Sequence, residues 1–351
     1  MAARLGVVTQ QGLGDTLATL LTQSVWKWPL IALVGVALFV GNSAYEAGNL
    51  AGAALGIEAV VGEGRNTFQL SVIAISALAA YLLLARSYKQ IEKVLIGLVM
   101  IMALAFLTTF IIVKPDLTAL ASGLVKPTLP AGSLFTVIGL IGTTVVPYNL
   151  FLHASSVKRK WSSVEDLNVA RADTAIAIGV GGLITILIVS TAAASMFAAG
   201  IAVESAGDMA KQFEPIFGSY SKYLLGIGFF AAGLSSSITA PLATSYAMTE
   251  ILQIKGGQNS FAFRAILMIV IIVGTALSLT GIRPVTIILS AQFANGLLLP
   301  IIASVLLFAM NQKSLLGKHA NSLIGNALGF GVVLITAGLG LRLVLRSVGV
   351  M

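Results

Sequence analysis

Apolar residues run along this chain in long unbroken stretches, and the charged residues gather between them. Nine stretches read as membrane spans: residues 29–56, 68–85, 94–113, 134–157, 175–199, 223–248, 265–280, 285–310 and 323–341. They lack the apolar/polar alternation of membrane-barrel strands, so the pattern predicts an all-α polytopic membrane protein. Residues 1–28 stand apart. Leu13, Leu17, Leu20 and Leu21 make this segment mildly amphipathic, while Thr9, Gln10, Gln11, Gly12 and Asp15 make it too polar to span or to be a cleaved signal. It ends at Trp26 and Trp28, which suit a membrane–water interface. The expected organisation is one transmembrane domain, 29–351, after this segment. Two connections are long: 114–133, with Pro115, Pro127 and Pro130, and 200–222, with Pro215.

Composition strengthens this picture. The chain is 57% hydrophobic and only 10% charged, with a mean hydropathy of +0.98, against about 25% charged residues in soluble domains. It has no cysteine, which excludes disulfides and thiolate metal sites. A net charge of +8 would fit a nucleic-acid binder, but in a membrane protein charge is read loop by loop. The 1–28 segment and every second loop after it carry 13 of the 21 Lys and Arg residues, including Arg86 and the KRK run at 158–160; the opposite side carries 8. The positive-inside rule then places the N-terminus in the cytoplasm and the C-terminus outside, in a plasma or inner membrane. The bilayer is the expected partner and nucleic acid is not; KRK reads as an anchor beside the fourth span. No nucleophile with a base, no P-loop and no ATP-binding domain is present, so neither an enzyme nor a resident cofactor is expected.

The fourth run carries the most unusual chemistry. Residues 142–156 read GTTVVPYNLFLHASS, which puts polar and helix-breaking residues at the centre of a span. Pro147 has no amide hydrogen, so the Thr143 carbonyl loses its helical partner, and Gly139 and Gly142 loosen the turns before it. Irregular backbone at membrane depth is tolerated only inside protein or along a polar cavity, and secondary transporters place substrate at such breaks. A free carbonyl is a hard oxygen ligand suited to a cation. An ordinary proline kink is the plainer alternative, but here Thr143, Thr144, Tyr148, Asn149 and His153 accompany the proline. Asn149 and His153 share a helical face.

Elsewhere the polar signals are sparser. In the first span Asn42, Glu46 and Asn49 share one face, and Glu46 is the only acidic residue well inside a span. It reads as an ion-pathway group or as a structural partner for another helix. Gly48, Gly52 and Gly56 read as a close-packing surface. GLSSSIT at 233–239 reads as tight packing with local hydroxyl bonds, followed by a kink at Pro241. In the eighth span Gln292 and Asn295 share a face, available to a cation or to a neighbouring helix.

Two of these stretches together resemble the Nramp family of divalent-metal transporters. VPYNLFLHA at 146–154 is similar to the family's M-P-H-N-L-Y-L-H-S pattern, and GLSSSIT to its G-Q-S-S-T-I-T. ARLGVVT at 3–9 looks like the loop after the family's second helix, and the span ending LLLP at 297–300 resembles its tenth. The resemblance covers essentially the whole chain in order. It implies a LeuT-type inverted-repeat fold in which the nine spans correspond to family helices three to eleven. The family's first two helices, with the D-P-G-N metal motif, are then missing from the sequence. Residue by residue, the resemblance makes the Thr143 carbonyl and Gln292 metal ligands, puts Val146 at the position of the family's thioether, and keeps Asn149 in the metal site. Tyr148 replaces the motif's first histidine and lines the substrate pathway with Asn295. His153 retains the second histidine, Glu46 is retained, and Ser43 replaces an aspartate; these three belong to the ion or proton pathway. The departures resemble those of Nramp-related magnesium transporters. The implied activity is alternating-access movement of a divalent cation (the Mn²⁺/Fe²⁺ class or Mg²⁺), the metal being cargo. A LeuT-fold carrier of a small organic solute and a non-transporting membrane fragment are the alternatives.

Overall fold

The computed structural model describes residues 1–85, 88–126, 128–201, 203 and 205–347. Arg86 and Pro127, counted in the loops above, lie outside them. The described residues form helices and no strand. In chain order these are α1 (Ala2–Thr9), α2 (Leu13–Leu20), α3 (Lys27–Val61), α4 (Arg65–Ala85), α5 (Tyr88–Val113), α6 (Leu117–Val125), α7 (Leu134–Thr144), α8 (Pro147–Lys160), α9 (Leu167–Ala192), α10 (Ala206–Ala210), α11 (Glu214–Phe217), α12 (Ser221–Ile251), α13 (Phe261–Ser278), α14 (Pro284–Met310), α15 (Lys313–Leu316) and α16 (Leu323–Ser347).

Nine segments of the described residues are long and apolar enough to cross a membrane, in the order the hydropathy pattern predicts. Most helices outrun their apolar stretches. The 35 residues of α3 rise about 52 Å, well past a hydrocarbon core of about 30 Å, so its ends stand in the polar layers. It stops at Gly62, whose φ of 121° lies where side chains are strained. The fourth run is the exception. It is split into α7 and α8, of 11 and 14 residues, and neither half spans the core alone.

Helix α3 is the axis of the bundle, packed against α4, α12, α13 and α14. The small residues on it bring backbones together as their spacing predicts: a Cβ at Gly56 would collide with the Gly226 carbonyl and Phe230 amide of α12, and one at Gly48 would press on Ala291 of α14. The serines and threonines of α12 bond their own helix, Ser237 to the Gly233 carbonyl at 2.9 Å and Thr239 to that of Ser235 at 2.9 Å. The helix continues through Pro241 to Ile251.

Two findings were not expected. Asp116 accepts the amides of Thr118 and Ala119 and so caps α6, a helix inside a connection that sequence leaves unstructured. The 1–28 segment, which the sequence sets apart, is packed into the bundle: Leu5, Leu13 and Leu17 are buried in one core with Leu38, Phe151 and Ala247. Trp26 and Trp28 do stay exposed.

One buried polar contact ties the axis to α12. Asn42 Nδ2 donates to Thr244 Oγ1 at 2.7 Å, with both residues buried. Thr244→Val keeps the shape and removes the acceptor, so the variant is expected to lose about 1–3 kcal/mol and to melt several degrees lower in detergent. Pairing it with Asn42→Leu should recover part of the loss, because replacing both partners by apolar groups removes the unpaired amide.

Candidate functional site

The break between α7 and α8 follows from three neighbouring residues. Pro147 takes the first position of α8, where its missing amide hydrogen costs nothing. Its ring disfavours helical backbone at the residue before it, and Val146 is extended at φ −70°, ψ 126°. Val145 leaves the helix at φ −124°, ψ 78°. Its amide still reaches the Ile141 carbonyl at 2.9 Å, and Asn149 N–H closes a tight turn on the Val146 carbonyl at 3.0 Å. The Thr143 carbonyl has no helical donor, because the residue four ahead is Pro147. It lies at the C-terminal end of α7, where the helix dipole is negative and attracts cations.

The two halves of the broken helix are held by different neighbours. On α7, a Cβ at Gly142 would overlap the Gln292 carbonyl and the Gly296 amide, so α7 and α14 are in backbone contact next to Thr143. By contrast, α8 packs chiefly on α1 and α12 and only lightly on α14. This arrangement puts Gly142, the residue before Thr143, against the Gln292 backbone. Gln292 Oε1 and both polar atoms of Asn295 have no protein partner among the described residues, and Asn295 is 1% exposed.

The structure places the remaining candidates around this contact or apart from it. Val146 and Tyr148 are buried, and the Tyr148 ring lies 5.6 Å from that of Tyr45. Tyr45 lies on α3 one residue before Glu46, so the break touches α3 at the edge of its polar face. Glu46 is fully buried: Oε2 accepts from Asn49 Nδ2 at 3.3 Å, while Oε1 and the nearby Ser43 Oγ have no protein partner among the described residues. Thr143, Thr144, Val145 and Asn149 are exposed along the break. His153 is directed elsewhere, with its Nε2 at 3.1 Å from Thr174 Oγ1 of α9. No three His, Cys, Asp or Glu side chains converge on a possible metal position among the described residues. A cation at the break would therefore meet carbonyl, amide and hydroxyl oxygens. Unpaired buried polar atoms cost about 1–3 kcal/mol each, so their concentration on α3 and α14 beside the break marks the region as built for more than packing.

The family model for Nramp, described as natural resistance-associated macrophage protein-like, matches residues 1–346. The chain belongs to the Nramp family. A relative named divalent metal cation transporter MntH, from Klebsiella pneumoniae, is 28% identical over 99% of this chain and 82% of its own length. Another of that name, from Pectobacterium carotovorum, is 27% identical over 71% of this chain and 60% of its own. Among solved structures, the Eremococcus coleocola manganese transporter in complex with an aromatic bis-isothiourea substituted compound aligns with a TM-score of 0.68, covering 97% of this chain and 76% of that one at 19% identity. This Nramp chain thus has the LeuT-type fold that its motifs imply.

Two features of the Nramp chain were invisible in its sequence. Tyr45 touches Tyr148 across 103 positions of chain, and an aromatic in an apolar run gives no signal. Lys158, counted in the KRK anchor, is drawn into the bundle by Asp15 and Glu250.

Proposed function

We propose that this protein moves divalent metal cations across the membrane by alternating access, with the cation held at the break between α7 and α8. The observation that carries the reading is the Thr143 carbonyl, left without a helical donor by Pro147 at the negative end of α7, one residue after Gly142, whose backbone meets α14 at Gln292. The relatives named for divalent metal transport support the cargo class. Thr143 supplies its backbone oxygen and Gln292 its side-chain oxygen. Asn149 is an exposed amide that completes the site when the halves rearrange. Val146 offers no sulfur, so the donors are all oxygen, a set that favours hard cations such as Mg²⁺ and Mn²⁺ over soft Cd²⁺. Tyr148, with Asn295, borders the path of the cation; Ser43 and Glu46 are the ion-pathway groups, whereas His153, turned to Thr174 of α9, stands apart from the break. The charge count makes the KRK end cytoplasmic, with the N-terminus on that side and the C-terminus outside.

The test is metal flux into proteoliposomes carrying an entrapped indicator. Mn²⁺ or Mg²⁺ is expected to enter well above the rate of empty liposomes, and Cd²⁺ more slowly. Flux of no divalent cation, with the purified protein monodisperse, would refute the reading.

A further inference from the structure

The first residue of the KRK run is not a surface anchor. Lys158 Nζ lies 2.8 Å from Asp15 Oδ2 of α2 and 3.1 Å from Glu250 Oε1 of α12. Ser155, one turn back on α8, donates to the same Glu250 oxygen at 2.6 Å. Glu250 is 9% exposed and its other oxygen has no protein partner among the described residues. Arg159 then stacks on the Tyr246 ring of α12, 4.2 Å from its centroid. Ser156 and Arg159 border a cavity of about 140 Å³ between α5, α8 and α12, which Glu92, Ser235 and Thr239 also line. Lys160, by contrast, makes an exposed pair with Asp173, a kind that contributes little.

A permanent joint between helices is better made of apolar packing, because a half-buried ion pair gives up nearly as much hydration as it gains in attraction. The same balance lets such a pair open at small cost once water reaches it. Removing one partner is another matter, since it leaves like charges facing each other. Three charged groups on three helices, at the free end of the half-helix that the break has severed from α7, have the properties of a catch.

We propose that Asp15, Lys158 and Glu250 form an ionic latch that holds the KRK end of the bundle shut. It opens when α8 moves away from α2 and α12, widening toward the solution on that side the cavity that the exposed Glu92 and Arg159 already border. The inference rests on the transport reading for its purpose, but its first readout does not depend on the cargo.

The absence of cysteine gives a clean background. Ser235→Cys places a reporter in the cavity wall, to be labelled by a membrane-impermeant thiol reagent on the KRK face of oriented vesicles. Adding Lys158→Gln is expected to raise the labelling rate about tenfold, and Lys158→Arg, which keeps the cation facing both Asp15 and Glu250, to keep the parental rate. An unchanged rate in folded Lys158→Gln protein, or an equal rise in Lys158→Arg, would overturn the latch. A second arm needs no loss of charge balance in the open state. Asp15→Cys with Lys158→Cys, joined by a short reducible cross-linker, should stop Mn²⁺ flux and regain it on reduction; full flux while cross-linked would overturn the proposal. If the reporter responds as expected while the parent carries no divalent cation, the latch stands and the cargo assignment fails.

Discussion

Gly142→Leu is expected to yield no monodisperse protein, and Gly142→Ala to yield protein that melts markedly lower and carries little metal. The cause is the contact between α7 and α14. An added Cβ would fall inside the Gln292 carbonyl and the Gly296 amide, which are backbone atoms and have no rotamer to yield. The helices must separate, at an overpacking cost of about 1–3 kcal/mol for alanine and more for leucine. The separation also moves Thr143 away from Gln292, so flux should fall further than stability alone accounts for. Gly179 is the matched control: it lies in α9, and a Cβ there meets nothing within 4 Å. Gly179→Ala is expected to leave melting temperature and flux unchanged. Equal behaviour of the two alanine variants would remove the argument that this contact is tight.

Pro147→Ala is expected to leave the protein folded and to cut flux about tenfold or more. Alanine restores an amide that can bond the Thr143 carbonyl, and it removes the penalty of about 3 kcal/mol that proline imposes on a helix interior. Valine at 145 and 146 resists helix by less than about 0.7 kcal/mol each. The balance favours joining α7 to α8, and a shift of about 1.4 kcal/mol is already tenfold in population. Hydrogen exchange reports the structural half of this directly: amides 145–149 should become more protected as flux falls. Unaltered flux in Pro147→Ala would mean that the break is not where the cation sits.

The two substitutions also show how unevenly the sequence reveals the molecule. The spans were legible because lipid leaves little choice: a backbone that cannot bond water must be helical, and its length is set by the bilayer. The break was legible for a similar reason, since Pro147 removes a donor whatever surrounds it. What depends on partners distant in the chain was not legible. Nothing local distinguishes Tyr45 from any other aromatic in a span, or Lys158 from its neighbours Arg159 and Lys160, because only folding brings Asp15 and Glu250 to the first of the three. His153 shows the converse. Its place four residues from Asn149 aligns the two on one face, yet tertiary packing gives its ring to Thr174. The 1–28 segment looked peripheral because Thr9, Gln10, Gln11 and Asp15 dilute its leucines. Those leucines nonetheless gather on faces that α8 and α12 cover.

That burial bears on how the molecule is made. Leu5, Leu13 and Leu17 leave the ribosome long before Phe151 and Ala247, the residues that enclose them. Until those later helices are inserted, the early segment has only Ile31, Val34 and Leu38 of α3 from its native surroundings, and the rest of its apolar face stays uncovered. Closure of this core therefore comes late in biogenesis and depends on contacts of very long sequence separation, the kind that form slowly. Chains interrupted before the sixth span would carry the early leucines bare, a form that a membrane quality-control protease could recognise.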